Sequence, residues 1–163
     1  MARNNDEEVI SIDSTEDIGT DPRVYELGFH LDPELPVEEV KKVYQALRTG
    51  IEGKGTIVAE VEPEKIPLAY TISRQDVAGR RDFDSAYFGW IVYEATPLNH
   101  AEVIAAADSD KYVIRFIDLI TTKDAARHAL EMKEISMKMP EKEDDTEETA
   151  GAELDAALES VAI

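Results

Sequence analysis

Arg74, Arg80 and Arg81 are the only clustered positive charge in a chain of 163 residues whose formal net charge is −19. A guanidinium is planar, permanently charged and multidentate, and it suits phosphate oxygens. An acidic chain that gathers its arginines in one stretch has therefore a candidate surface for an anionic partner. The competing role is plain charge balance against Asp76, Asp82 and Asp84 in the same stretch, since surface ion pairs are common and weak. Nothing else in the chain resembles a chemical centre. His30, His100 and His128 are far apart and form no H-E-x-x-H or paired-histidine spacing, so no metal site is expected. Cysteine is absent, which removes disulfides, thiol nucleophiles and thiolate ligands. Neither a G-x-x-x-x-G-K-[ST] loop nor a G-x-G-x-x-G motif is present, and no acid/base pair stands out among the carboxylates. The expectation is a protein that is not an enzyme and uses no cofactor.

The elements that would position those arginines follow from periodicity. Tyr25, Leu27, Phe29 and Leu31 alternate with Glu26, Gly28 and His30, the pattern of a half-buried strand. Asp32-Pro33-Glu34-Leu35-Pro36 stops that strand and starts a helix. Pro36 is placed at its first position, and Glu38 and Glu39 near the positive end of its dipole. Val37, Val40, Val43, Tyr44, Leu47 and Ile51 form its apolar stripe, and Gly50, Gly53 and Gly55 end it. Thr56 to Val61 reads as a second strand, interrupted by Pro63 and resumed at Pro67. A proline there implies an edge position or a bulge. Residues 73–84 read as a polar loop. Ser85 to Ala95 is a third strand, apolar on both faces and so central. Thr96-Pro97-Leu98-Asn99 opens a short helix through Ala107, anchored by Val103 and Ile104. Tyr112 to Ile120 is the fourth strand, with Arg115 and Asp118 inside an apolar run.

The order β-α-β-β-α-β predicts an α+β, ferredoxin-like fold: a four-stranded antiparallel sheet with two helices on one face and the other face free to bind. The domain spans 23–121. Residues 1–22 read as a disordered acidic arm of net charge −6, with Val9-Ile10-Ser11-Ile12 as an alternative docking peptide. Residues 122–163 carry net charge −7 and read as a C-terminal extension, helical over 123–139 and then a disordered acidic tail in which 152–161 forms helix transiently. The first 22 residues lack the features of a signal peptide, and no apolar run approaches the roughly 18 residues of a membrane span, so a soluble, cytoplasmic protein is expected. The bulk acidity opposes non-specific nucleic-acid binding, but charges beyond about 8–10 Å are screened at physiological salt and a local basic patch remains effective.

Four segments carry a family resemblance. Tyr25-Glu26-Leu27 followed by Leu31-Asp32-Pro33-Glu34-Leu35, then Leu68-Ala69-Tyr70-Thr71-Ile72, then Tyr87-Phe88-Gly89-Trp90 with Glu94, then Val113-Ile114-Arg115-Phe116 stand in the order of the bacterial small-subunit ribosomal protein S-six family. The chain resembles that family over about residues 23–121, and the second segment, similar to the family's Leu-Ala-Tyr-Pro-Ile, is the most specific. Thr71 replaces the usual proline, and Ile66 and Pro67 stand where the family has basic residues.

The resemblance implies a structural constituent of the small ribosomal subunit. Such a protein binds small-subunit ribosomal RNA together with ribosomal protein S-eighteen, with which it forms a heterodimer. On that reading Lys65, Arg74, Arg80 and Arg81 are the expected phosphate contacts. Leu68, Tyr70 and Ile72 are the expected partner surface. Neither a membrane nor a small-molecule substrate is expected. Two alternatives stand beside it: an acidic, non-ribosomal adaptor with the same fold, and an acylphosphatase-like enzyme in which Asn99 would place a water.

Overall fold

The computed structural model describes residues 20–138. The segments 1–19 and 139–163 lie outside the described residues, and with them most of the N-terminal arm, the Val9–Ile12 peptide and the acidic tail. The chain divides into two compact units after Leu130. The first holds the sheet, two helices and the start of a third; in the second, residues 131–138 continue that third helix.

The elements run β1 (Arg23–Leu31), α1 (Val37–Glu52), β2 (Gly55–Asp76), β3 (Gly79–Ala95), α2 (Pro97–Ser109), β4 (Val113–Ile120) and α3 (Lys123–Lys138). The sheet order is β2-β3-β1-β4, with every neighbouring pair antiparallel. This is the expected ferredoxin-like arrangement. Period-two alternation places Tyr25, Leu27, Phe29 and Leu31 on one face of β1, where Ile91, Tyr93 and Ala95 of β3 join them. Both helices cover this face, α1 through Val40, Val43, Tyr44, Leu47 and Ile51, and α2 through Val103 and Ala107. Full burial of one such side chain contributes about 1.5–3 kcal/mol.

α1 differs from expectation at its start. Pro36 is the cap rather than the first helical residue, and its carbonyl accepts from the amides of Glu39 and Val40. Val37, expected in the stripe, is 57% exposed, because it falls in the first turn, ahead of the residues that meet the sheet. Gly50 lies inside the helix, Gly53 caps it, and Gly55 begins β2. Gly55 is required by space: a Cβ there would lie 2.3 Å from the Glu94 carbonyl oxygen. α2 starts as expected, with Thr96 accepting from the Asn99 amide and Pro97 in first position.

The largest correction concerns residues 73–84. They are not a loop but the end of a long β2–β3 hairpin, paired Ser73 to Asp82, Arg74 to Arg81 and Asp76 to Gly79. Val77 and Ala78 form the turn, and Gly79 supplies the positive φ of 123° that closes it. β2 is also continuous rather than interrupted. It absorbs Pro63 and Pro67 at register shifts, between Val61 and Glu64 and between Pro67 and Ile72, as an edge strand can.

The opposite face of the sheet is less open than expected. The Thr122 hydroxyl accepts from the Ala125 amide at the start of α3. Ala126 and Leu130 then pack on Val24, Val58, Ala59, Val92 and Trp90. One end of that face is therefore already closed by a helix.

Candidate functional site

The hairpin tip brings Arg74 and Arg81 side by side, but each is engaged. Arg81 donates to Asp32 Oδ2 at 2.9 Å and to Glu34 Oε2 at 2.6 Å, and lies 3.6 Å from Asp76 Oδ2. Its hydrogen bond to Asp32, reinforced by the surrounding carboxylates, raises its pKa above the ordinary value. Arg74 pairs with Asp76 at 3.1 Å and donates to the carbonyls of Lys111 and Val113 at 3.1 and 2.9 Å. The two arginines thus tie the hairpin to the β1–α1 and α2–β4 connections. Arg80 points elsewhere, to Asp82 at 3.2 Å and to the Ser73 hydroxyl at 2.8 Å, and is 68% exposed. Bonds from Ser73 and Arg80 hold the Asp82 carboxyl below its usual pKa. Lys65 sits farther down the hairpin, over the Tyr87 ring at 5.8 Å and 3.3 Å from the Pro33 carbonyl. Four carboxylates (Asp32, Glu34, Asp76 and Asp82) therefore contact the three arginines. Asp32 and Glu34 are distant in sequence, which is why the local pattern did not expose this balance.

Leu68 to Thr71 are the residues that the Pro67–Ile72 register shift leaves out of the ladder. Thr71 is anchored by a 2.6 Å bond to Asp84, and Tyr70 stands 63% exposed. The bulge helps wall a concavity of about 330 Å³ lined by Ile66, Pro67, Leu68, Ile72, His30 and Arg115. Leu68, Tyr70 and Ile72 are thus brought together at one site.

In the sequence Arg115 is a charge within an apolar strand. It is exposed, donates to the Tyr70 hydroxyl at 2.5 Å, lies 6.0 Å from that ring's centre, and has no carboxylate partner among the described residues. Burial, and secondarily the Arg115 charge, lower the pKa of His30, whose ring meets Phe88 at 5.3 Å. These residues share the face opposite α1 and α2, because His30 is register partner of both Phe88 and Arg115. The row beside them is Trp90, Gly28 and Ile117, and the next is Val92, Glu26 and Leu119.

A polar network crosses the other face. His100 Nδ1 lies 2.8 Å from the Tyr93 hydroxyl and Nε2 lies 2.9 Å from Asp118, while its ring stacks on Tyr25 at 3.6 Å. Burial first, then Asp118, pushes the Tyr93 phenol upward. With Tyr93 fully buried, this set fixes α2 against β3 and β4 rather than meeting a substrate. Asn99, needed by the acylphosphatase alternative, donates its amide to the Lys54 carbonyl at 2.7 Å. Among the described residues no cluster of potential metal ligands occurs, and no helix is long and apolar enough to cross a membrane.

The family described as Ribosomal protein S6 matches residues 24–119. Among solved structures, the 30S ribosomal protein S6 of Thermotoga maritima is similar at 20% identity with a TM-score of 0.49, over 72% of this chain and 99% of that one. No curated protein matches the chain.

Proposed function

The chain belongs to the ribosomal protein S6 family, and from that premise we propose that it is a structural, non-catalytic constituent of the small ribosomal subunit that binds small-subunit ribosomal RNA in the cytoplasm as a heterodimer with ribosomal protein S-eighteen. The family match across the whole sheet domain carries this reading. Lys65, Arg74, Arg80 and Arg81 are the phosphate contacts on this reading, Arg80 from one face of the hairpin and Arg74 and Arg81 from the other. Arg80 is the most available of the three arginines, because its contacts are the most solvent-exposed. Leu68, Tyr70 and Ile72 offer the partner the bulge and its concavity. The acidic surface leaves most of the positive charge to the partner.

The chain, tagged in its own cell, is expected to co-sediment with small subunits and to co-purify with ribosomal RNA and a small basic protein. Sedimentation apart from small subunits sinks the reading. For RNA, Lys65→Ala and Arg80→Ala avoid the arginines that hold the hairpin tip. If each removes one phosphate contact, the slope of log affinity against log salt falls by about 0.9 on the duplex-DNA scale.

A further inference from the structure

The face of the hairpin that carries Arg74 and Arg81 holds two guanidinium groups against three carboxylates, those of Asp32, Glu34 and Asp76. Two positive and three negative charges leave a net negative surface, so the arginine pair offers an approaching phosphate no attraction. Each group is linked to the next by a contact of 3.6 Å or less. The set therefore acts as one charge within the roughly 8–10 Å over which charges are felt at physiological salt.

The three carboxylates are held unequally. Asp32 is 13% exposed; its Oδ1 accepts from the Glu34 amide at 2.9 Å while its Oδ2 accepts from Arg81. Asp76 bridges both arginines, at 3.1 Å to Arg74 and 3.6 Å to Arg81. Glu34 stands 79% exposed and accepts from Arg81 Nη2 at 2.6 Å. Arg81 itself is seated without Glu34. Its guanidinium lies 4.7 Å from the centre of the buried Phe83 ring, and Asp32 takes its other terminal nitrogen. Departure of Glu34 therefore leaves a positioned guanidinium with one nitrogen free for a phosphate oxygen.

We propose that Glu34 is a carboxylate gate on Arg81: it occupies the nitrogen that a backbone phosphate of RNA takes, and it yields only to a phosphate brought there by the rest of the interface. The gate rests on the RNA-binding reading above and adds the residue that makes that binding selective. An exposed ion pair of this kind is weak, so a phosphate already held beside Arg81 displaces Glu34 at little cost. A phosphate arriving alone meets net negative charge and is turned away. Asp32 and Asp76 stay in place in both states, and the hairpin keeps its ties.

The test is binding of the full chain to poly(U), an unselected phosphate backbone, and to small-subunit ribosomal RNA, each across a salt series. Glu34→Gln is expected to bind poly(U) about four- to ten-fold more tightly than wild type at low salt. The slope of log affinity against log salt steepens by about 0.7, one phosphate contact on a single strand. Adding Arg81→Ala to Glu34→Gln removes the gain, and adding Arg81→Lys keeps most of it. Glu102→Gln removes the same charge from the ion pair that α2 makes with Lys54, and changes poly(U) binding less than two-fold. Amides 73–82 of Glu34→Gln exchange within two-fold of wild type, because Asp32 still holds Arg81. Faster exchange with no gain in binding makes Glu34 a brace and overturns the gate. A gain that survives Arg81→Ala, or an equal gain in Glu102→Gln, overturns it as a bulk-charge effect. Wild-type binding of ribosomal RNA with no gain on poly(U) in Glu34→Gln sinks the gate and leaves the RNA reading standing. A gain on poly(U) in a chain that binds no small-subunit RNA does the reverse.

Discussion

Phe29 and His30 are neighbours in β1, yet the first is sealed beneath α1 and the second lies half-exposed beside Arg115. The two faces of the sheet differ in the same way along their length. Under α1 and α2, buried apolar side chains meet, and the polar groups that enter (His100, Asp118 and the Tyr93 hydroxyl) are paired with one another. On the other face, exposed aliphatics lie between Arg115 and Glu26, which make no ion pair among the described residues. The closed face is built to hold the chain together. Beyond the end covered by α3, the open face keeps charge and apolar area in water, which adds little to folding.

The sharpest break of this contrast is a pair of truncations. Phe29→Ala is expected to cost about 3–5 kcal/mol, because its ring is fully buried. Ile117→Ala costs less than about 1 kcal/mol. Urea denaturation measures both, and similar losses would mean that the open face also carries the fold.

A smaller effect separates the two kinds of arginine. Arg81→Ala removes a tie between the hairpin tip and the β1–α1 connection, so amides between 73 and 82 should exchange roughly two- to five-fold faster. Arg115→Ala leaves those amides unchanged. Acceleration by both variants would show that Arg115 also braces the hairpin.

The smallest effect is the titration of His30. Burial, then Arg115, holds its pKa below the ordinary 6.5, so the folded state favours the neutral ring. Below pH 6.5 the unfolded chain binds more protons at this site. The contribution of the neutral ring is therefore present above 6.5 and is lost as pH falls through the lowered value. Arg115→Gln should raise the His30 pKa partway, since burial is the larger cause. Imidazole resonances followed by NMR measure it, and a return to 6.5 would assign the whole shift to Arg115.

Much of the fold was readable because apolar side chains recur with the period of their element. The alternation from Tyr25 to Leu31 and the stripe from Val40 to Ile51 each state a buried face directly. The hairpin tip was not readable. One face of residues 73–76 and 79–82 is exposed and the other is half-buried through charged side chains, so no apolar residue marks the period. What holds them paired is a ladder of Ser73, Asp82 and Arg80 bonds that resembles loop composition. The candidate site divided in the same way. Leu68, Tyr70 and Ile72 were found from a signature, and the structure gathers them at one concavity. The arginine stretch stood out by its spacing, but Asp32 and Glu34, which answer it, come from more than 45 residues away.

The sequence by itself determined the element order, the buried faces of β1 and α1, and the resemblance that the family match bears out. Those features depend on local spacing and on short-range backbone preference. Only the tertiary structure decided which charges were already answered. The long hairpin carries Arg81 to Asp32 and Glu34, and the pairing of β1 with β4 sets Arg115 beside His30, where it makes no ion pair among the described residues. Coulomb energy depends on distance in space and on exposure, and sequence separation fixes neither.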